Sequence, residues 1–124
     1  MIRRKNIYEV EAELFGALAH PARLEIMELL RHGEACVCHI QAMLDQRQAY
    51  VSQHLNVLRQ AGLVAKRKEG LRVYYQITGP CVLELIDSMT TILQSLGLFP
   101  AEPALRSSVS NRVCNCPQCL SSPN

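Results

Sequence analysis

Between Gln48 and Ile77 the spacing of apolar residues switches from helical to alternating, and few folds accommodate that switch in so short a stretch. In "QAYVSQHLNVLRQAG" the apolar positions Val51, Leu55 and Leu58 step by three and four, and Gly62 closes the run. In "LVAKRK" and "LRVYYQI" β-branched and aromatic residues alternate around a Gly-containing turn, which reads as a two-stranded hairpin with a basic tip. Just upstream, "CHIQAML" is a short helix with Ile40, Met43 and Leu44 inward, joined to the next by the polar turn Asp45–Gln48. Two short helices across a turn of about four residues outline a helix-turn-helix.

The flanks extend this outline. "IYEVEAELFGALA" places Ile7, Val10, Leu14, Ala17 and Leu18 at helical spacing, and His20-Pro21 then ends the run. "ARLEIMELLRHG" is a second helix with Leu24, Ile26, Met27, Leu29 and Leu30, stopped at Gly33. After Gly79-Pro80 a last helix runs from about Cys81 to Leu96. Its stripe of Val82, Leu85, Ile86, Met89, Ile92 and Leu93 continues for two heptads. Together with the first helix, Leu14 included, this stripe is expected to form a homodimer interface. The expected fold is mainly α with a small β-hairpin, in the order α-α-α-α-β-β-α, as one domain over residues 1–98. Residues 99–124, rich in Pro, Ser and Ala, are expected to form a flexible cysteine-containing tail.

Composition narrows the function. There is no apolar run of about 18 residues to span a membrane. The opening "MIRRKNIYEVEAEL" lacks the apolar stretch of a signal peptide. A cytoplasmic, reducing location is therefore expected, where six cysteines favour metal or redox chemistry over a disulfide framework. The formal net charge is only +2, but Arg59, Lys66, Arg67, Lys68 and Arg72 crowd one short segment.

That placement suits double-stranded DNA. The exposed side of the fourth helix is expected to carry Gln48, Tyr50, Ser52, Gln53 and His54 to base edges in the major groove. Gln48 and Gln53 can pair bidentately with adenine, and Ser52 can reach base or phosphate. Arg59 is placed for the DNA backbone, and Lys66, Arg67, Lys68 and Arg72 for phosphates or the adjacent minor groove. Any one of these residues could equally sit on a solvated helix face; their joint placement carries the reading.

The segments "ALAHPARLEIMELL", "ACVCHI", "VSQHLNVLRQAGLV" and "KEGLRVYYQI" together resemble the ArsR/SmtB family of winged-helix repressors, over roughly residues 8–96. The resemblance implies a winged helix-turn-helix, dimerised through its first and last helices, that leaves operator DNA when an inducer binds. It also implies that Cys36 and Cys38 are inducer ligands at the start of the third helix. The family's arsenite pattern often has a third cysteine three residues after the pair, where this chain has Gln41. The family's other common site pairs Asp and His ligands across the last helix, which here has Asp87 but no histidine.

Two residues apart on a regular helix point about 200° away from each other. Cys36 and Cys38 can therefore face one ion only if the segment is frayed or lies just before the helix. The tail adds Cys114, Cys116 and Cys119 as C-x-C-x-x-C around Pro117. These three could take As(III) alone. They could also complete a four-thiolate site with Cys36 and Cys38 suited to Cd(II), Pb(II) or Zn(II), or form a zinc knot with a fourth ligand from elsewhere. Cys81 reads as a small buried residue and His20, His32 and His39 as structural, His39 being the best auxiliary ligand. The expected function is a repressor released by a soft ion, As(III)/Sb(III) or Cd(II)/Pb(II)/Zn(II), held by cysteine thiolates. One alternative is a redox-sensing repressor of the same fold that signals by disulfide or persulfide formation. A thiol-based metal carrier or redox enzyme is a remoter one, because the tail lacks a packed scaffold. No catalytic residues and no small organic substrate are expected.

Overall fold

A computed structural model describes residues 4–99. The elements are α1 (Ile7–Leu18), α2 (Pro21–Leu30), β1 (Ala35–Cys36), α3 (Val37–Leu44), α4 (Gln48–Gln60), β2 (Val64–Glu69), β3 (Arg72–Ile77) and α5 (Cys81–Ser95). The three tail cysteines lie outside the described residues.

Local chemistry sets the helix starts. Asn6 and Glu9 form a reciprocal capping box at α1, with both bonds at 2.9 Å. His20 caps α2 by accepting the Ala22 N–H on Nδ1 at 3.0 Å, and Pro21 takes the first helical position. Cys36 caps α3, its Sγ accepting the His39 N–H at 3.3 Å. At the far end of α4, Gly62 (φ 82°) and Leu63 return their amides to Arg59 and Leu58, both at 3.0 Å. This reversal turns the chain into β2 and needs a residue that tolerates positive φ.

The sheet order is β1-β3-β2, antiparallel throughout. The hairpin β2–β3 matches the sequence expectation, closed by Gly70 and Leu71. The strand β1 was not expected. It is two residues long, too short for any periodicity, and exists only because β3 offers its other edge to Ala35 and Cys36.

The core gathers under α4. Ile26 and Met27 of α2, Ile40 of α3, and Val51, Leu55 and Leu58 of α4 are fully buried. Each such side chain contributes roughly 1.5–3 kcal/mol by leaving water. The outer helices are less covered. Among the residues expected at a dimer interface, Ile86 is part of this core, and Leu14, Val82 and Leu85 lean against it. Met89 and Ile92 stay exposed and Leu93 is half-buried. On α1, Ile7, Tyr8, Val10 and Phe15 are also exposed. An ion pair between Arg31 and Asp87 (2.7 Å) ties α5 to the end of α2. Among the described residues no helix is long and apolar enough to cross a membrane.

Candidate nucleic-acid interface and thiol pair

The helix α4 divides cleanly into two faces. Val51, His54, Leu55 and Leu58 point inward, while Gln48, Ser52, Gln53, Asn56 and Arg59 are exposed. Asn56 was not expected, although it lies one turn beyond Ser52 on the same side; its Oδ1 accepts from Arg59 at 3.0 Å. The helix begins at Arg47 with no side-chain cap, so its first amides point outward at the positive end of the helix dipole. Tyr50 is half-buried, its ring edge-on to His54 at 4.6 Å.

His54 corrects the sequence expectation. It is only 5 % exposed, and its Nδ1 lies 3.2 Å from the Arg23 guanidinium. Its ring also packs on that of His20, with centroids 4.2 Å apart. Burial, then His20 and Arg23, push its pKa below the usual imidazole range. A buried neutral imidazole cannot meet a base edge. The helical count behind the expectation failed because His54 faces α2, whose Arg23 gives a polar side chain a reason to point inward.

Arg67 also differs from its basic neighbours. Its guanidinium bonds to both oxygens of Glu34 (2.6 and 3.0 Å) and to Glu69 (2.7 Å), and lies 4.6 Å from the Tyr74 ring centroid. The Glu34 contact holds the arginine in its charged form and lowers the Glu34 pKa. Lys66 and Lys68, on the opposite side of the strand, are exposed, and Arg72 is half-buried.

The two cysteines meet. Cys36 is extended (φ −76°, ψ 154°) and belongs to β1, while Cys38 is in the first turn of α3. The pair thus straddles the strand-to-helix junction, and the sulfurs lie 2.6 Å apart. Both line a cleft of about 480 Å³, whose other walls include Gln48, Ser52 and Arg59 of α4 and Lys66 and Arg72 of the hairpin. Gln41 lines it too. As a donor set the pair fits a soft ion at two adjacent positions. Among the described residues no group of three or more His, Cys, Asp or Glu side chains could hold a metal. Cys81, expected to be buried, is exposed at the start of α5.

Comparison with known proteins places these features in context. Residues 20–66 match the profile described as "Bacterial regulatory protein, arsR family". The chain is 45% identical over 80 residues to an uncharacterized HTH-type transcriptional regulator of Methanocaldococcus jannaschii, spanning 64% of this chain and 90% of that one. It is also 45% identical over 67 residues to the arsenical resistance operon repressor of Escherichia coli, spanning 53% and 57%. A homodimeric winged helix-turn-helix DNA-binding domain from Mycobacterium bovis superposes with a TM-score of 0.65 at 31% identity, covering 76% of this chain and 91% of that one.

Proposed function

This chain belongs to the ArsR family of bacterial regulatory proteins, DNA-binding transcriptional repressors rather than enzymes, and from that premise we propose that it is a homodimeric repressor released from operator DNA by a thiophilic ion. The observation that carries the reading is the meeting of Cys36 and Cys38 in a cleft walled by α4 and the hairpin. In this reading Gln48, Ser52, Gln53 and Asn56 face the major groove, and Arg59, Lys66, Lys68 and Arg72 face phosphates. Arg67, bound to two carboxylates, holds the hairpin to the loop before β1 instead.

Cys36 and Cys38 hold the ion, and Cys114, Cys116 and Cys119 of the tail supply the remaining thiolates. A soft ion, As(III) or Cd(II), Pb(II) or Zn(II), gives these sulfurs a common partner that thiolates bind strongly. The kinship to an arsenical resistance repressor supports this class of inducer. Because Cys36 is paired to β3 and Cys38 starts α3, drawing the two thiols toward tail sulfurs shifts both the hairpin and the helix that supports α4. A coupling of about 1–3 kcal/mol between ion and DNA is enough for release.

The test is titration of the reduced protein with As(III), Cd(II), Pb(II) and Zn(II) while operator binding and thiolate absorption are followed together. Cys36→Ser and Cys38→Ser should keep DNA binding and lose ion-driven release. Normal release by both variants would remove the pair from the sensor. Removal of residues 99–124 should weaken ion binding if the tail shares the site.

The contact between the two free thiols also favours a redox reading. An oxidant such as a peroxide or a low-molecular-weight disulfide would take two electrons from the pair, and two protons would leave as the S–S bond forms. Mass measurement separates the two readings: a loss of two hydrogens without bound metal, accompanied by DNA release, supports the redox switch.

A further inference from the structure

Neither Arg23 nor His54 lines the thiol cleft, yet the cluster around Arg23 joins three helices at one point. Arg23 projects from α2, donating Nε–H to the Ala17 carbonyl at 2.6 Å and Nη2–H to the Gly16 carbonyl at 3.3 Å. Both carbonyls belong to the last turn of α1. The residue four beyond Ala17 is Pro21, which has no amide to give, so the guanidinium supplies the missing donor. It also brings a cation to the negative end of the α1 dipole. The remaining fork nitrogen, Nη1, meets Nδ1 of His54 on α4 at 3.2 Å.

We infer that Arg23 and His54 are positioning residues for DNA reading: they fasten the last turn of α1 to the recognition helix, and a proton on His54 unfastens it. The inference rests on the reading of α4 as the recognition helix. An arginine has donors and no acceptor, so His54 Nδ1 must offer a lone pair, and the ring proton sits on Nε2. Protonation places an N–H against the guanidinium, leaving two cations face to face with no acceptor between them. His20 cannot take over, since its own Nδ1 is occupied by the Ala22 amide. The charged and titratable groups facing His54 are Arg23 from α2, His20 from the α1–α2 junction and Tyr50 from α4 itself. Among the described residues, α1, α3 and β2 add no further charge acting on it. If α1 lies at the dimer interface, the clamp also sets how the two recognition helices of a dimer are spaced and inclined.

The test uses the full, reduced, metal-free protein and a fluorescent duplex that the protein has selected from a randomised pool. Simple electrostatics predicts tighter DNA binding on acidification, because every protonated histidine adds positive charge. The clamp predicts the opposite: affinity falls several-fold as the pH drops below about 6.5, because the folded protein takes up the His54 proton only below the usual imidazole range. His54→Asn keeps an acceptor near the Nδ1 position without titrating, and should remove the acid-dependent fall in affinity. Arg23→Met should bind weakly at every pH, with Arg23→Lys partly restoring affinity. Wild-type binding that holds or tightens in acid, or an undiminished acid loss in His54→Asn, overturns the clamp. Imidazole ¹⁵N shifts give a reading that needs no DNA: the Nε2–H tautomer of His54 at neutral pH supports the clamp, and an Nδ1–H tautomer overturns it. Absence of duplex binding at every pH sinks the repressor reading itself, and the tautomer then still decides the clamp.

Discussion

At the residue scale, two side chains hold roles that their types alone do not announce. Cys36 is both a proposed ligand and the N-cap of α3. The two roles separate by substitution, because serine is a good N-cap and alanine is not. Cys36→Ala should destabilise the fold by about 0.5–2 kcal/mol from the lost cap, and Cys36→Ser by less, as read by urea denaturation. Equal losses in the two variants would show that the cap contributes nothing. His54 makes folding pH-dependent in a known direction. Its pKa is lower folded than unfolded, so the unfolded chain binds the proton more readily. That contribution to stability is full above the unfolded value of about 6.5 and drains away as pH falls through it towards the folded pKa. Thermal midpoints should drop over that window in the wild type and drop less in His54→Asn. Neither role was legible from the chain. "CVC" and "SQH" name the side chains, but the cap depends on where α3 begins, and the inward turn of His54 depends on an arginine 31 positions earlier.

At the element scale, alternation is enough to place the hairpin, yet its cations divide in a way that alternation does not reveal. Lys66 and Lys68 lie on one side of β2, while Arg67 lies on the other among Glu34, Glu69 and Tyr74. Each lysine that meets a phosphate adds about one to the slope of log affinity against log salt. Lys66→Gln or Lys68→Gln should therefore flatten that slope, and Arg67→Gln should leave it nearly unchanged. A slope lowered as much by Arg67→Gln as by the lysines would put the guanidinium on DNA after all. The same variant should cost the fold little, since water screens exposed ion pairs. The strand β1 makes a related point. A two-residue strand has no pattern to read, but it wires the cysteine pair to the hairpin through backbone bonds.

At the scale of the whole molecule, the exposed apolar residues of α1 and α5 are the largest feature that one chain leaves unexplained. Tyr8, Val10 and Phe15 on α1, with Met89 and Ile92 on α5, are each nearly half exposed or more. Apolar surface of this kind concentrates at protein contacts. Burying a carboxylate in such a contact is costly, so Ile92→Glu should shift the protein to a monomer by sedimentation without unfolding it. A variant that remains dimeric would move the interface elsewhere. Since a dimer presents two recognition helices at once, the monomer should also bind a duplex much more weakly.

The sequence by itself determined the order of helices and hairpin and the apolar core positions of α3 and α4. Periodicity and turn residues are local signals, and each of these follows from neighbours within one or two turns. Tertiary structure alone decided that the two thiols converge, that His54 turns inward to Arg23, and that Arg67 is held by carboxylates. It also separated the apolar residues that fill the core from those left at the surface. The His54–Arg23 and Arg67–Glu34 contacts join residues far apart in the chain. The neighbouring thiols converge only because pairing with β3 holds Cys36 extended just before α3. No local spacing encodes these outcomes.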